Sequence, residues 1–158
     1  MNKITLIAAI GKNRELGLNN QLIWRIPEDL RFFKENTINK TIVMGLNTFN
    51  SLPHMLPKRK HIVLTSKNIE IEDVIIVHSL DELLEYISNL EEVMIIGGAS
   101  IYSQLINYAD ELLLTEIDDS KEADAYFPDF DKNDWESEII GQYQYEDIKY
   151  KRLVYKRK

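Results

Sequence analysis

Short apolar runs rich in β-branched residues alternate with helical patterns along most of this chain, and this alternation constrains the fold more than any other feature. The runs cover residues 5–10, 41–44, 61–64, 74–77, 93–96 and 112–117. Continuous apolar strands of this kind are typical of a mostly parallel sheet that helices cover on both faces. Residues 80–90 and 101–109 carry apolar side chains at helical spacing and predict two crossover helices. The sequence therefore predicts an α/β fold.

The pattern changes near the C-terminus, where the sequence predicts an antiparallel hairpin. Residues 135–145 and 148–155 have strand character and are joined by Glu146-Asp147. The basic run at 149–158, K-Y-K-R-L-V-Y-K-R-K, suits an edge strand whose solvated lysines discourage aggregation. We therefore expect a mixed, mostly parallel central sheet of about eight strands, flanked by about four helices and closed at one edge by the hairpin.

Length, composition and charge exclude several classes of protein. The chain has 158 residues, with no internal repeat or linker, so residues 1–158 are expected to form a single domain. It has no cysteine, and His54, His61 and His78 lack the close spacing of metal ligands, so we expect no metal site. The net charge of −7 argues against a nucleic-acid partner. No stretch approaches the roughly 20 apolar residues that cross a bilayer, so we expect a cytoplasmic protein without a membrane partner. The absence of an apolar surface stripe favours a monomer.

Residues 24–36, W-R-I-P-E-D-L-R-F-F-K-E-N, contain an acid in an unexpected place. Pro27 can open a helix, and helical winding puts Glu28 on the side that faces away from the apolar residues. Asp29 instead projects between Phe32 and Phe33, inside the apolar arc. The helix dipole alone favours acids in a first turn by about 0.3–1 kcal/mol, without any function. The alternative is that Asp29 lines a cleft, where a carboxylate can bind a protonatable heterocycle or assist proton transfer.

Three further segments point to binding at the strand ends. Residues 11–26 form a stretch of roughly sixteen residues without periodicity, which is typical of a lid or binding loop and leads directly to Asp29. Gly97-Gly98 follows a strand and precedes a helix, so backbone amides there can approach an anion, although a plain tight turn also explains the pair. Gly45 follows another strand, with Thr48 in a short helical turn. Ligands of open α/β sheets bind at the carboxyl ends of strands, where all these segments fall.

Taken together, these segments resemble the dihydrofolate reductase family from residue 6 to the C-terminus. The matching motifs are L-I-A-A-I at 6–10, G-L-N-N-Q-L-I-W at 17–24, I-P-E-D-L-R-F-F-K at 26–34, V-M-G-L-N-T-F at 43–49, L-P-K-R-K-H-I-V-L-T-S at 56–66, I-I-G-G-A-S-I-Y at 95–102, L-T-E-I-D at 114–118, D-A-Y-F-P-D-F at 124–130 and D-W-E at 134–136. Each motif is weak alone, but their order and spacing are highly specific.

The resemblance implies a reaction and a catalytic set. Hydride would pass from NADPH to C6 of dihydrofolate while N5 gains a proton, giving tetrahydrofolate for one-carbon metabolism. Asp29 matches the active-site carboxylate that binds the amidine-like edge of the pterin, and Thr115 matches the hydroxyl that supports it. Trp24 matches the residue that helps hold an ordered water, and Leu22 would gate solvent from the lid. Inhibitors that carry a protonated diaminopyrimidine would also bind through Asp29.

The resemblance also implies the residues that bind substrate and cofactor. Arg59 matches the arginine that pairs with the glutamate tail of folate, although a solvated arginine in a turn is the alternative. The substrate-binding set is Ile7, Ala8, Asp29, Leu30, Phe33, Leu52, Arg59, Ile96 and Thr115. The cofactor-binding set is Ala9, Leu16, Gly17, Gly45, Leu46, Asn47, Thr48, Thr65, Ser66, Lys67, Ile96, Gly97, Gly98, Ala99, Ser100, Ile101 and Tyr102.

The chain departs from the family pattern at three positions. Ile23 stands where many relatives have proline, so the lid would be less rigid. Leu46 stands where an arginine usually assists the cofactor phosphates, and Ser100 where some members carry a basic residue. These two changes leave the preference for NADPH over NADH open. We expect Thr65, Ser66 and Lys67 to hold the 2′-phosphate, with an ordinary surface lysine as the alternative.

Two other functions are compatible with the motifs. A related reductase would act on another pterin or on a ribosylamino-pyrimidine, but Arg59 together with Asp29 favours a folate with its carboxylate tail. A catalytically silent nucleotide-binding module would keep the fold without turnover. The intact set of Asp29, Trp24 and Thr115 argues against it.

Overall fold

An eight-stranded sheet forms the centre of the molecule. The structure is a computed structural model, and it describes residues 2–158. The strands are β1 (Lys3–Ile10), β2 (Glu15–Leu18), β3 (Gln21–Leu22), β4 (Thr41–Gly45), β5 (Lys60–Leu64), β6 (Val74–Val77), β7 (Glu92–Gly97), β8 (Glu111–Ile117), β9 (Ala125–Tyr126), β10 (Trp135–Tyr145) and β11 (Ile148–Arg157). The helices are α1 (Pro27–Thr37), α2 (Leu46–Ser51), α3 (Leu80–Ile87) and α4 (Ala99–Leu105), with short 3-10 segments at Ile106–Tyr108 and Lys132–Asp134.

The central sheet has the order β10-β11-β8-β1-β7-β4-β5-β6. The strands from β8 to β6 are parallel, whereas β11 pairs antiparallel with β8 and β10 pairs antiparallel with β11. Leu6 of β1 lies in register with Ile95 of β7 and Leu112 of β8, and all three are fully buried. The predicted mixed, mostly parallel sheet with a C-terminal hairpin is therefore confirmed.

Helices cover the sheet on both faces because the strands are apolar on both faces. Phe32 and Phe33 of α1 and Phe49 of α2 pack on one buried cluster. Leu83 of α3 and Leu105 of α4 belong to the cluster on the opposite face. No helix within residues 2–158 is long and apolar enough to span a membrane.

The predicted loop at residues 11–26 contains two short strands. β2 and β3 pair with each other, and β2 also pairs with β9 to form a separate three-stranded sheet. Strands of four and two residues are too short to show a period, so the pattern of the sequence did not predict them. Their pairing joins the loop before α1 to the segment after β8.

The interpretation of residues 149–158 as an edge strand was wrong. β10 is the outer strand, so β11 has hydrogen-bonded neighbours on both sides. Lys149, Lys151 and Lys156 are exposed as expected, but Arg152 is only 1% exposed. The error arose because the alternation within the run does not show that β10 pairs on its outer side.

We expect Ile95→Ala to lower the free energy of unfolding by about 2–5 kcal/mol, because it removes a fully buried side chain from a central strand. Ile140→Ala is the matched control. Ile140 is 46% exposed on β10, and its truncation should change stability by no more than about 0.5 kcal/mol. Urea unfolding of both variants measures the difference. Equal losses would show that the apolar centre of the sheet has been misidentified.

Candidate active site

Asp29 lies where the first turn of α1 meets the sheet. Thr115 Oγ1 donates a hydrogen bond to Asp29 Oδ1 at 2.6 Å, and Arg152 Nη2 donates to the same oxygen at 2.7 Å. The Asp29 side chain is 21% exposed. Its second oxygen, Oδ2, has no hydrogen-bond partner in the part of the chain that the structure describes. The acid is thus anchored through one oxygen, and the other is available to a ligand.

Strand register explains how Thr115 and Arg152 reach the same carboxylate. Thr115 of β8 is paired with Ala9 of β1 on one side and with Arg152 of β11 on the other. Side chains at paired positions project to the same face of a sheet. Ala9, Thr115 and Arg152 therefore form a row across three strands, and α1 lies over this row.

Glu28 is not on the solvent side of α1, contrary to the prediction. Arg152 donates to its two carboxylate oxygens at 3.1 and 3.2 Å, and the Tyr150 hydroxyl donates to it at 2.9 Å. Burial alone would raise the pKa of Glu28, but the hydrogen bonds from Arg152 and Tyr150 outweigh it, so that the pKa lies below its ordinary value. Helical winding could not place Glu28 because its partner is 124 residues away in the sequence.

Most of the predicted substrate-binding residues lie on one face of the sheet. Ile7 belongs to the cluster under α1 and α2, and Phe33, Leu52 and Ile96 pack against it. Leu30 is 45% exposed on the helix that carries Asp29. Ala8 differs, because its side chain packs on the opposite face and only its backbone remains for the cleft.

Arg59 is fixed beside the C-terminal end of α1. Its Nη1 donates to Thr37 Oγ1 at 3.1 Å and its Nε donates to the Pro57 carbonyl at 3.1 Å. Thr37 itself donates to the Phe33 carbonyl at 2.8 Å. The second terminal nitrogen of Arg59, Nη2, has no hydrogen-bond partner within residues 2–158. The guanidinium is therefore oriented with one side still available.

Trp24 and Leu22 occupy different positions in the predicted lid. Trp24 is 7% exposed, packs with Ile117 and Tyr150, and donates from Nε1 to Asp119 Oδ2 at 3.0 Å. Leu22 lies on β3, is 48% exposed and belongs to none of the buried clusters. The structure thus places Trp24 near the row of Ala9 and Thr115, and leaves Leu22 at the surface.

Glu15 joins the lid segment to the loop after β8. It is 1% exposed and accepts hydrogen bonds from the Asn13 amide at 2.7 Å, the Ser120 hydroxyl at 2.7 Å and the Lys121 amide at 2.9 Å. Burial would raise the pKa of Glu15, but these hydrogen bonds dominate and hold it below its ordinary value. A second link comes from the Asp124 amide, which donates to the Gly17 carbonyl at 3.0 Å. Leu16, between these tied positions, packs against the core.

The predicted cofactor segments meet at the carboxyl ends of β4, β5 and β7. A Cβ on Gly98 would lie 3.3 Å from Thr48 Oγ1, and one on Gly45 would lie 3.1 Å from Ile101 Cγ1. The turn after β4 therefore packs directly on the turn after β7. Gly97 has φ +122°, a conformation that favours glycine, and its backbone lies against the Tyr102 ring. The remaining predicted cofactor residues follow the same strands: Asn47 at the start of α2, Ala99 and Ser100 at the start of α4, and Thr65, Ser66 and Lys67 after β5.

The two replaced cofactor positions have neutral surroundings. Leu46 packs against the apolar cluster under α2. Ser100 is exposed, and its hydroxyl accepts a hydrogen bond from the Gln104 side chain at 3.2 Å. Within residues 2–158, no group of three or more histidine or acidic residues is arranged to hold a metal ion.

Sequence reasoning missed several residues of this site. Glu28 was predicted to face away from the apolar residues of its helix, and Arg152, Thr37 and Glu15 were given no role. His78 was also missed, although its Nδ1 donates to the Thr65 carbonyl at 2.9 Å beside the predicted 2′-phosphate site. The sequence contained one signal for Arg152: it is two residues from both Tyr150 and Val154, so all three lie on the same face of the strand. The others carry no local pattern.

The chain is similar to known proteins along most of its length. Residues 3–157 match the family model described as dihydrofolate reductase. The chain is 46% identical over 129 residues to the dihydrofolate reductase of Buchnera aphidicola subsp. Schizaphis graminum, covering 81% of this chain and 80% of the relative. It is 42% identical over 133 residues to the dihydrofolate reductase of Bacillus subtilis, covering 84% of this chain and 79% of the relative. Dihydrofolate reductase from Enterococcus faecalis, solved in complex with NADP(H) and RAB-propyl, has a TM-score of 0.91 at 33% identity and covers 98% of this chain and 96% of its own.

We expect Glu15→Gln to lower the free energy of unfolding at pH 7 by roughly 1–3 kcal/mol, because a buried charged acceptor of three hydrogen bonds is lost. The pKa of Glu15 is lower in the folded protein than its ordinary value of 4.5, so its contribution is present above that pH and disappears as the pH falls through the folded value. Urea unfolding across this range should show the two proteins converging in acid. Glu138→Gln, at an exposed position of β10, is the control. A difference that stays constant with pH would contradict the assignment.

Proposed function

The chain belongs to the dihydrofolate reductase family, and we propose that it reduces 7,8-dihydrofolate to 5,6,7,8-tetrahydrofolate at the cleft that contains Asp29. The observation that carries this proposal is the Asp29 carboxylate, anchored through Oδ1 beside an apolar wall, with Oδ2 available. In the balanced reaction, dihydrofolate, NADPH and one proton give tetrahydrofolate and NADP+. NADPH, when bound, supplies the hydride that reaches C6, and the proton is added at N5.

Asp29 would bind and orient the pterin. Its Oδ1 already accepts hydrogen bonds from Thr115 and Arg152, so Oδ2 would accept from the amidine-like edge of the substrate. A carboxylate at this edge favours a substrate that carries an additional proton, which is the form reduced at C6 and N5. Thr115 supports the acid without contacting the reacting atoms. Trp24 would help hold a water molecule between protein and pterin only by exchanging the bond from its indole N–H to Asp119 Oδ2 for one to that water.

The apolar wall and Arg59 would position the rest of the substrate. The pterin and aminobenzoyl groups would lie against Ile7, Phe33, Leu52 and Ile96, which share one face of the sheet. Arg59 is oriented by Thr37 and Pro57 and would pair with a carboxylate of the glutamate tail. Arginine suits this role because its planar fork can bind a carboxylate through two parallel hydrogen bonds. Leu22, which is exposed on β3, would cover the bound ligands and exclude solvent.

The turns at the ends of β4, β5 and β7 fit a dinucleotide cofactor. The side-chain-free backbone at Gly97-Gly98, next to Thr48, can approach a pyrophosphate closely. Ala9 and Tyr102 would border the nicotinamide, since both lie near the end of β1 where Tyr102 donates to the Ile7 carbonyl at 2.6 Å. Ser66 and Lys67 are exposed beside Thr65, where a 2′-phosphate could be held.

We expect Asp29→Asn to lose most dihydrofolate reduction near neutral pH, by a factor on the order of 10² to 10⁴, because it keeps the shape but removes the charge. Part of the activity should return in acid, where the substrate can arrive protonated. Glu35→Gln, on the exposed side of the same helix, is the control and should keep full activity. Oxidation of NADPH with dihydrofolate measures both. Preferential turnover of a ribosylamino-pyrimidine, or NADPH binding without turnover, would argue against the proposal.

We expect Lys67→Ala to lower the ratio of kcat/KM with NADPH to kcat/KM with NADH by about tenfold. Lys67 would lose one charged hydrogen bond to the 2′-phosphate, and NADH has no such group to lose. The control is Lys156→Ala, an exposed lysine of β11 away from the strand ends of β4 and β5. An unchanged ratio in Lys67→Ala would remove Lys67 from the cofactor site.

A further inference from the structure

We propose that Arg152 is a positioning residue for the reaction, holding the Asp29 carboxylate from behind while Glu28 balances its charge. The three residues would then act as one unit. This inference rests on the function proposed above for Asp29. Glu28 and Asp29 lie in the motif I-P-E-D-L, whereas Arg152 lies outside all the motifs by which the chain resembles its family.

The Arg152 guanidinium is almost completely buried, with 2% of its side chain exposed. Its Nε donates to Thr115 Oγ1 at 3.2 Å, and its Nη1 and Nη2 donate to the two oxygens of Glu28. Nη2 also donates to Asp29 Oδ1 at 2.7 Å, the shortest of these contacts. A buried arginine destabilises a protein unless its donors find partners, and all three nitrogens do so here. Arg152 thus contacts both the acid and the hydroxyl that supports it.

Aromatic rings hold the guanidinium in position. The centre of the guanidinium lies 3.7 Å from the Phe32 ring centroid, 5.1 Å from that of Tyr143 and 5.9 Å from that of Tyr150. A cation over an aromatic face is attracted by the ring quadrupole, more strongly where water is absent. Tyr150 also donates to Glu28, and burial together with this carboxylate raises its pKa to about 12, so the phenol remains a donor at neutral pH. The group is therefore held before any ligand binds.

Glu28 makes this arrangement compatible with binding a cation. One guanidinium faces two carboxylates, so the ionised cluster carries one net negative charge. Without Glu28, the charge of Arg152 would cancel that of Asp29, and the attraction for a protonated pterin edge would fall. With Glu28 present, Arg152 can orient Asp29 while one negative charge remains for the ligand. Arg31 on α1 also favours the ionised form of Glu28.

The experiment compares Arg152→Met, Arg152→Lys and Glu28→Gln with the parent and with Arg157→Met. Arg157 is the matched control, because it lies on the same strand, stacks on Trp135 at 4.2 Å and donates to the Ala109 and Ile106 carbonyls, but contacts no member of the cluster. The readouts are kcat, KM for dihydrofolate, KM for NADPH, and the affinity for 5-benzyl-2,4-diaminopyrimidine, a cationic probe, by calorimetry.

We expect Arg152→Met to lower kcat/KM for dihydrofolate by roughly 10- to 100-fold, with KM for NADPH unchanged within about twofold. The variant makes the cluster more negative, but if Arg152 positions Asp29, the loss of that orientation outweighs the added charge and the cationic probe also binds more weakly. Arg152→Lys keeps the positive charge but lacks the planar set of guanidinium donors, so it should lose less activity and probe affinity than Arg152→Met. Glu28→Gln should lower the affinity for the probe by roughly tenfold, because the positive charge of Arg152 then cancels the negative charge of Asp29. The double variant Glu28→Gln/Arg152→Met should lose less than the sum of the two single variants, since the pair is coupled.

Several results would overturn the inference. If Arg152→Met raises KM for both dihydrofolate and NADPH, and Arg157→Met loses as much activity, Arg152 has a structural role only. If Arg152→Met does not fold, Arg152→Lys and Glu28→Gln decide, and unchanged probe affinity in both contradicts the proposal. A parent that binds the probe but does not reduce dihydrofolate would contradict the proposed function instead, while the probe comparison would still test Arg152.

Discussion

Burial of the parallel strands on both faces determines where this molecule can carry polar chemistry. The interiors of β1, β4, β5 and β7 offer no water to solvate a charge, so polar groups gather where these strands end. Parallel neighbours end at the same edge, and the turns that follow β4 and β7 pack on each other there. Ile96, which is proposed to bind substrate, lies next to this edge at the end of β7. That the two candidate sites adjoin is therefore a consequence of strand direction, not of any single residue.

Arg152 is the main exception to this rule, since it lies in the middle of a strand rather than at its end. Its stability there depends on α1, which supplies both carboxylates and the Phe32 ring. The docking of α1 on the sheet and the placement of Asp29 are therefore the same set of contacts. Because leaving a buried guanidinium without partners costs several kcal/mol, the cluster also constrains how far the first turn of α1 can move.

The sequence was a good guide wherever structure follows from local pattern. β6 begins and ends where the apolar run at 74–77 does, and Asp29 stood out because it broke the apolar arc of its helix. The motif resemblance predicted that Phe33, Leu52 and Ile96 bind substrate, and the structure packs all three against one buried cluster. Pairings between distant residues were not predictable in this way. The residues next to Glu28 and to Arg152 in the sequence do not indicate that the two form an ion pair. Two of the three partners of Glu15 lie more than 100 residues away.

The fixed charges of the cleft are unevenly divided between its two halves. On the substrate side, Arg152 and Arg59 are both held by several hydrogen bonds. The cofactor turns at 45–48 and 97–102 contain no lysine or arginine, and Leu46 contributes to the apolar core instead. On the proposed assignment, an anionic cofactor would rely on backbone amides, hydroxyls and the neighbouring Lys67. Backbone groups are placed by the strands themselves, so the cofactor half depends on the register of β4 and β7, whereas the substrate half depends on the charge cluster behind Asp29.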